Sequence, residues 1–300
     1  MEQYKEITIL APAKINICLG VTGKRPNGYH DIESVMQTVA IFDKIKVSGE
    51  KAPEGQSISV ICHGHDELSG EKNIAYRVAL AFLRYAKIEK YNIKIEIEKT
   101  IPMEAGLGGG SSDAAAVVCA LNELLETKIT EDELMSIGAT VGADVPFLVG
   151  KGTAFVGGIG EVITPCREIP QSVVLVAYPN NEKVSTAKAY GAIDAQGTFS
   201  STEKFQRVRR AVDQGDIVGI ASAAYNIFET VIPEDSVIFR IKEMMTENGA
   251  LFSLMSGSGS AVFGFFPDES SAKIAESVIR PIAKTFVTGL CRKTDSYTVK

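Results

Sequence analysis

The sequence predicts an α/β protein (α+β type) of two domains, and three observations lead there. A segment of period two, Asn92 to Glu98, runs into a glycine-rich stretch and then into an alanine-rich helix. Strand and helix patterns mix in both halves of the chain, as in layered sheets covered by helices. The pattern changes past Glu161, which sets the expected division into residues 1–160 and 161–300.

In order along the chain, Ile7-Thr8-Ile9-Leu10-Ala11 reads as a strand that continues toward Ile15-Asn16-Ile17-Cys18-Leu19. Arg25-Pro26-Asn27-Gly28 is turn chemistry. From Asn92 to Glu98, Ile93, Ile95 and Ile97 share one face, opposite Lys94, Glu96 and Glu98, and Pro102 stops the strand. Asp113 to Leu121 is a strong helix former. Thr130 and Glu133 make a capping box for the next helix. Ser172 to Ala177 reads as a buried strand. Helices are expected over Ile217 to Glu229 and Asp235 to Glu247, with Gly249 as a stop signal. Leu251 to Met255 and Ala261 to Phe266 are strands joined by the turn Ser256-Gly257-Ser258-Gly259-Ser260. A helix near Ser270 to Ile279 and a strand near Thr285 to Leu290 follow.

Composition narrows the function classes. The 300 residues can bury a sizeable core, and 45% hydrophobic with 23% charged residues is an ordinary globular balance. A formal charge of -6 argues against a nucleic-acid backbone as the main partner. No apolar run is long enough to span a bilayer, so no membrane partner is expected. Met1-Glu2-Gln3-Tyr4-Lys5-Glu6 lacks the apolar stretch of a signal peptide. Five scattered cysteines without a CxxC pair fit free thiols in a reducing, cytoplasmic setting. Cys62-His63-Gly64-His65-Asp66-Glu67 is rich in metal-ligand types. No second cluster complements it, so it reads as a polar loop before a helix. Oligomeric state has no signature here.

The glycine run Gly106-Leu107-Gly108-Gly109-Gly110-Ser111-Ser112 carries the chemistry. Glycines between a strand and a helix free several backbone N–H groups to point one way. The helix that follows adds unpaired first-turn N–H groups and its positive dipole end. Together they form an anion cradle suited to a polyphosphate. Ser111 and Ser112 add hydroxyls for a phosphate oxygen or a magnesium ion. The run is not a Walker A loop, because no lysine follows the glycines, nor a dinucleotide turn, because Ser111 stands at the third glycine position. Alone, it equally suits a tight turn that lets the helix pack.

Two further pieces shift that balance. Pro12-Ala13-Lys14-Ile15-Asn16 is followed by Arg25-Pro26-Asn27-Gly28-Tyr29-His30, and the distal half holds Ser256-Gly257-Ser258-Gly259-Ser260. The three together resemble the GHMP kinases, in order and spacing, over nearly the whole chain. The match is closest to the branch whose acceptor is a cytidylyl-methylerythritol. The run Gly108-Gly109-Gly110-Ser111-Ser112-Asp113 and Gly142-Ala143-Asp144-Val145-Pro146-Phe147 are similar to that branch. Asn27 departs from its usual aspartate and Ser258 from its frequent threonine; both changes are mild.

The resemblance implies a two-domain GHMP kinase-like fold, with an N-terminal ribosomal protein S5 domain 2-like half and a C-terminal ferredoxin-like half. It implies ATP as co-substrate with Mg2+ as its companion, and a small-molecule acceptor. Lys99, Pro102, Gly106, Leu107, Gly108, Gly109, Gly110, Ser111 and Ser112 would then serve ATP. Gly257, Ser258 and Gly259 would close over the site. No residue is assigned as a metal ligand. From the residues alone Asp144 reads as a helix cap or surface charge; the resemblance makes it the catalytic base. Lys14 lies in an apolar strand, which is costly for a bare ammonium, so it is expected to pair with Asp144. Tyr29, His30 and Tyr190 would grip a nucleobase, and Asn16 would contact the acceptor. Lys99 also fits plain strand alternation.

Overall fold

The computed structural model describes residues 4–295 and 297–299. The first sheet is built on two long antiparallel strands, β1 (Lys5–Lys24) and β2 (His30–Lys51). The turn between them holds Arg25 to Gly28, as expected. β3 (Ser57–His63), helix α1 (Ile74–Tyr85) and β4 (Tyr91–Glu98) follow. Then come α2 (Gly109–Leu124), α3 (Glu131–Ala139) and α4 (Val145–Gly150), and the hairpin β5 (Thr153–Gly157) and β6 (Val162–Pro165). The spatial order is β12 (Thr298–Val299), β1, β2, β4, β3, with β5 on β2 and β8 (Tyr225–Asn226) on β1.

The second sheet comprises β7 (Val173–Pro179), β9 (Phe252–Met255), β10 (Val262–Phe266) and β11 (Ala283–Gly289). Between β7 and β9 lie α5 (Thr186–Gln196), α6 (Thr202–Gln214), α7 (Ile217–Ala223), β8 (Tyr225–Asn226) and α8 (Val237–Glu247). α9 (Glu269–Ile279) joins β10 to β11, and β12 (Thr298–Val299) ends the fold. The antiparallel order β11-β7-β10-β9 is that of a ferredoxin-like βαββαβ unit.

β1 is buried from Ala11 to Val21 without alternation because both its faces are covered. Ala13, Ile15 and Ile17 pack in one cluster with Val174, Val176, Phe263 and Phe265 of the second sheet. Ala11, Leu19 and Val21 belong to the cluster that holds the α2 alanines. Each buried Ile or Val of this layer contributes roughly 1.5–3 kcal/mol. The register of β1 on β2 shifts between Pro12 and Ala13 and again between Asn16 and Cys18. Such irregularities re-aim side chains, and these two flank Lys14 and Asn16.

Several expectations need correction. The helix expected over Ile217 to Glu229 stops at Ala223, because the Asn226 carboxamide takes the Phe228 N–H and donates to the carbonyls of Met255 and Gly257. α2 begins at Gly109, inside the glycine run, rather than at Asp113. The capping box at Thr130 and Glu133 is present. Residues 225–226 and 298–299 lie in the second half of the sequence yet pair with β1. No helix among the described residues is long and apolar enough to cross a membrane.

Candidate active site

The glycine loop and the distal turn meet with almost no side chain between them. Gly106 and Gly108 take φ of 77° and 70°, where a Cβ is strained. A Cβ at Gly106 would stand 2.0 Å from the Ser256 carbonyl oxygen, and one at Gly257 would stand 3.1 Å from the Gly106 Cα. Ser256 Oγ donates to the Gly106 carbonyl at 2.9 Å, and Ala261 N–H to that of Ala105 at 3.0 Å. Gly108 caps α2 in the left-handed conformation, which turns the chain from loop into helix.

A cavity of about 660 Å³ opens over this loop. Its walls include Lys99, Pro102, Gly106, Gly108, Gly109, Gly110 and Ser111, all expected from sequence. Leu107 and Ser112 turn away from it. Leu107 is buried, with its carbonyl accepting the Lys14 N–H, and Ser112 is buried with its hydroxyl donating to the Pro12 carbonyl. The Ser112 hydroxyl proton is therefore spent within the fold, and Ser111 is the serine that faces the cavity. Sequence reasoning missed Lys72, Asn73, Glu104, Asp113 and Lys183 on the same walls. Of these, Asp113 adjoins the glycine motif and was the one within reach.

Lys99 stands on the cavity wall with its ammonium already paired. Its ammonium donates to Asp43 at 2.5 Å and to Asp113 at 2.8 Å, with all three side chains buried. The other Asp43 oxygen takes the N–H groups of Thr100 and Ile101, so this carboxylate anchors the strap leading into the loop. Asp113 has a second oxygen, buried without a partner. Burial first, and the nearby Asp43 charge, push the Asp113 carboxyl well above the usual range against the pull of Lys99.

Lys14 and Asp144 come together. Lys14 Nζ is 3.8 Å from Asp144 Oδ2, with Lys14 buried and Asp144 partly open. Burial lowers the Lys14 ammonium below its ordinary range, partly offset by Asp144. Asp144 is the N-cap residue of α4, but its side chain caps nothing and is free for other work. Asn16 is buried between the first strand and the distal turn. Its Oδ1 receives Lys14 Nζ at 2.7 Å and the Gly257 N–H at 3.0 Å, and its Nδ2 donates to Ser34 Oγ at 2.9 Å.

Tyr29, His30, Tyr190, Ile159 and Asp194 line a second cavity of about 500 Å³. His30 and Tyr190 stack on each other, centroids 4.6 Å apart, which leaves no gap for a third ring between them. His30 Nε2 lies 2.7 Å from Asp194 Oδ1, and the other oxygen of that carboxylate accepts from Lys24 Nζ at 2.6 Å. Tyr29 is 59% exposed. Burial first, and the Asp144 charge, push the Tyr190 phenol up to about 12. A Cβ at Gly108 would meet Lys14 Cγ at 2.9 Å, which ties Lys14 to the glycine-loop cavity. Ser258 is buried against Thr186, hydroxyls 2.8 Å apart, and Gly259 packs on Val184. His63 pairs with Glu96 and His65 with Glu67. Among the described residues no group of three or more His, Cys, Asp or Glu side chains is placed to hold a metal ion.

Comparison with known proteins agrees with this arrangement. Residues 73–152 match the GHMP kinases N terminal domain, and residues 208–282 match GHMP kinases C terminal. The 4-diphosphocytidyl-2-C-methyl-D-erythritol kinase of Desulfitobacterium hafniense is 41% identical over 279 residues, covering 92% of each chain. That of Geobacter sulfurreducens is 41% identical over 277 residues, covering 92% of this chain and 95% of its own. A crystal structure of 4-(cytidine 5'-diphospho)-2C-methyl-D-erythritol kinase superposes with a TM-score of 0.76 at 30% identity, covering 94% of this chain and 98% of that one. The homoserine kinase of Cytophaga hutchinsonii reaches 0.76 at 18% identity, a likeness of fold alone. Two matched domains and relatives this similar over nearly full length place the chain in the GHMP kinase family.

Proposed function

We propose that the chain transfers the γ-phosphoryl group of ATP to the 2-hydroxyl of 4-diphosphocytidyl-2-C-methyl-D-erythritol, a step in non-mevalonate isoprenoid precursor synthesis. The observation that carries this reading is the Lys14–Asp144 pair, whose lysine packs against Gly108 of the glycine-loop cavity. The relatives that share this sequence over most of its length bear the corresponding name.

Phosphoryl transfer asks chiefly for positioning and charge stabilisation. The N–H groups of the glycine loop and of the first turn of α2 cradle the polyphosphate. Magnesium accompanying ATP would offset its charge, and Ser111 on the cavity wall would be the hydroxyl near it. Asp144 takes or orients the acceptor hydroxyl proton, and Lys14 stabilises the developing alkoxide. Asn16 acts as a positioning residue that fixes the Lys14 ammonium. Because His30 and Tyr190 already stack together, cytosine would lie against the outer side of this pair with Tyr29 as its cover. An acceptor of the homoserine or mevalonate type has no nucleobase to use that cavity. A non-catalytic sensor on the same fold would have no need of the Lys14–Asp144 pair.

Phosphorus NMR of the protein with ATP, magnesium and the cytidylyl substrate tests the reading. A new phosphomonoester signal is expected with the wild type. Asp144→Asn is expected to slow its formation by about 10²–10⁴. A signal with homoserine or mevalonate but none with the cytidylyl substrate would keep the kinase and overturn the acceptor.

A further inference from the structure

The glycine-loop cavity carries three lysines, Lys72, Lys99 and Lys183. ATP brings several negative charges, and backbone N–H groups alone do not neutralise them. Lys99 stands closest in sequence to the glycine run, but it is held between two buried carboxylates and cannot leave both uncompensated. We propose that Lys183 is a phosphate-contacting residue, exchanging Glu104 for the terminal phosphates when ATP binds. The proposal rests on the kinase reading given above.

The segment carrying Lys183 is fastened to the distal turn at three points. Ser260 Oγ donates to the Glu182 carbonyl at 2.7 Å. Val184 lies where a Cβ on Gly259 would meet it at 3.2 Å, and the Thr186 and Ser258 hydroxyls are 2.8 Å apart. That turn in turn holds Gly106 through Ser256. The backbone around Lys183 is thus fixed at the glycine end of the cavity, while its side chain stays 70% exposed. Glu104, its partner at 3.3 Å, is 75% exposed and lies two residues before Gly106. An exposed ion pair of this kind holds its partners with a preference of about fivefold at most. A polyphosphate offers charge-assisted hydrogen bonds that exceed it. Lys72 lies on the wall made by residues 67–74, beside the N-cap of α1, away from these attachments.

The partners of one ion pair then have opposite effects on ATP. In steady-state assays of the full chain, Lys183→Gln is expected to raise the KM for ATP by about tenfold or more, with the acceptor KM unchanged. Lys183→Arg should recover most of that loss. Glu104→Gln frees the lysine and should lower the KM for ATP by about two- to fivefold. A purely structural pair would move both Gln variants in the same direction, or neither, and that result would overturn the proposal. An absence of ATP turnover in the wild type would overturn the kinase reading and this proposal with it.

Discussion

The side-chain oxygen of Asn16 accepts the backbone N–H of Gly257 at 3.0 Å, joining the first long strand to the distal turn one hydrogen bond away from Lys14. The first strand and the distal turn are thereby tied to one ammonium group. Asn16→Ala would leave the Gly257 N–H buried without this partner and the Lys14 ammonium less constrained. It is expected to cost about 1–3 kcal/mol in urea unfolding and to reduce kcat. Lost stability with an unchanged kcat would reduce Asn16 to a structural role.

Lys14 gives the reaction an alkaline limit. Burial lowers its folded-state pKa from the ordinary 10.5, and the proposed role needs the protonated form. In kcat measured against pH, activity should decline on the alkaline side before 10.5 is reached. Over the same window the unfolded chain binds more protons than the folded one, so stability rises with pH there. An alkaline limb at the ordinary lysine value would dissociate Lys14 from the reaction.

Two glycines of one loop should respond oppositely to a methyl group. At Gly106 a Cβ would strike the Ser256 carbonyl at 2.0 Å in a left-handed backbone. Gly106→Ala should therefore cost at least about 1–3 kcal/mol and weaken ATP binding strongly. At Gly110 the nearest atom is an Ile74 methyl at 3.7 Å, and the backbone is helical. Gly110→Ala should leave the melting temperature level or raise it slightly. Calorimetry of the two variants separates loop geometry from general glycine flexibility.

The Asp113 carboxyl, raised by burial, predicts an acid-side signature. Between the ordinary carboxylate value of 3.8 and its raised folded value, the folded state holds more protons than the unfolded state. Its contribution to stability is full below that window and is lost as pH rises through it. Asp113→Asn keeps the shape without the charge. The variant should flatten this part of the stability profile, followed by denaturant midpoints from pH 4 upward in steps of about one unit. A profile parallel to that of the wild type would mean that Asp113 is ionised throughout.

Much of the site could be read in the sequence because its parts are local. The glycine run announces itself by composition, and Lys14 by being a charge in an apolar strand. Asp144 needed the family resemblance, since a carboxylate before a short helix is commonplace. The fate of Lys99 depended on Asp43, 56 positions away and with no motif around it. The hydrogen bonds of Asn16 to Lys14 and to Gly257 were not legible, because sequence does not say which way a bulge turns a side chain. In the fold, β4 showed its period of two because only one face is buried. β2 hid it, since the central part of that strand is covered on both sides and pairs with β1, β4 and β5. The helix from Ile217 failed at Asn226 because tertiary hydrogen bonds from one carboxamide outweigh helix propensity.

The strand β12 has a consequence for how the protein is made. It pairs with β1, and the Tyr297 carbonyl accepts the Leu10 N–H, so nearly the first and nearly the last described residues share a sheet edge. While the chain emerges from the ribosome, that edge waits until the second sheet has been synthesised. During the wait, the backbone groups of β1 near Thr8 to Leu10 stand open to solvent and to other nascent chains. Final closure of the first sheet is a late event in the life of the polypeptide, set by translation rather than by the stability of the strands themselves.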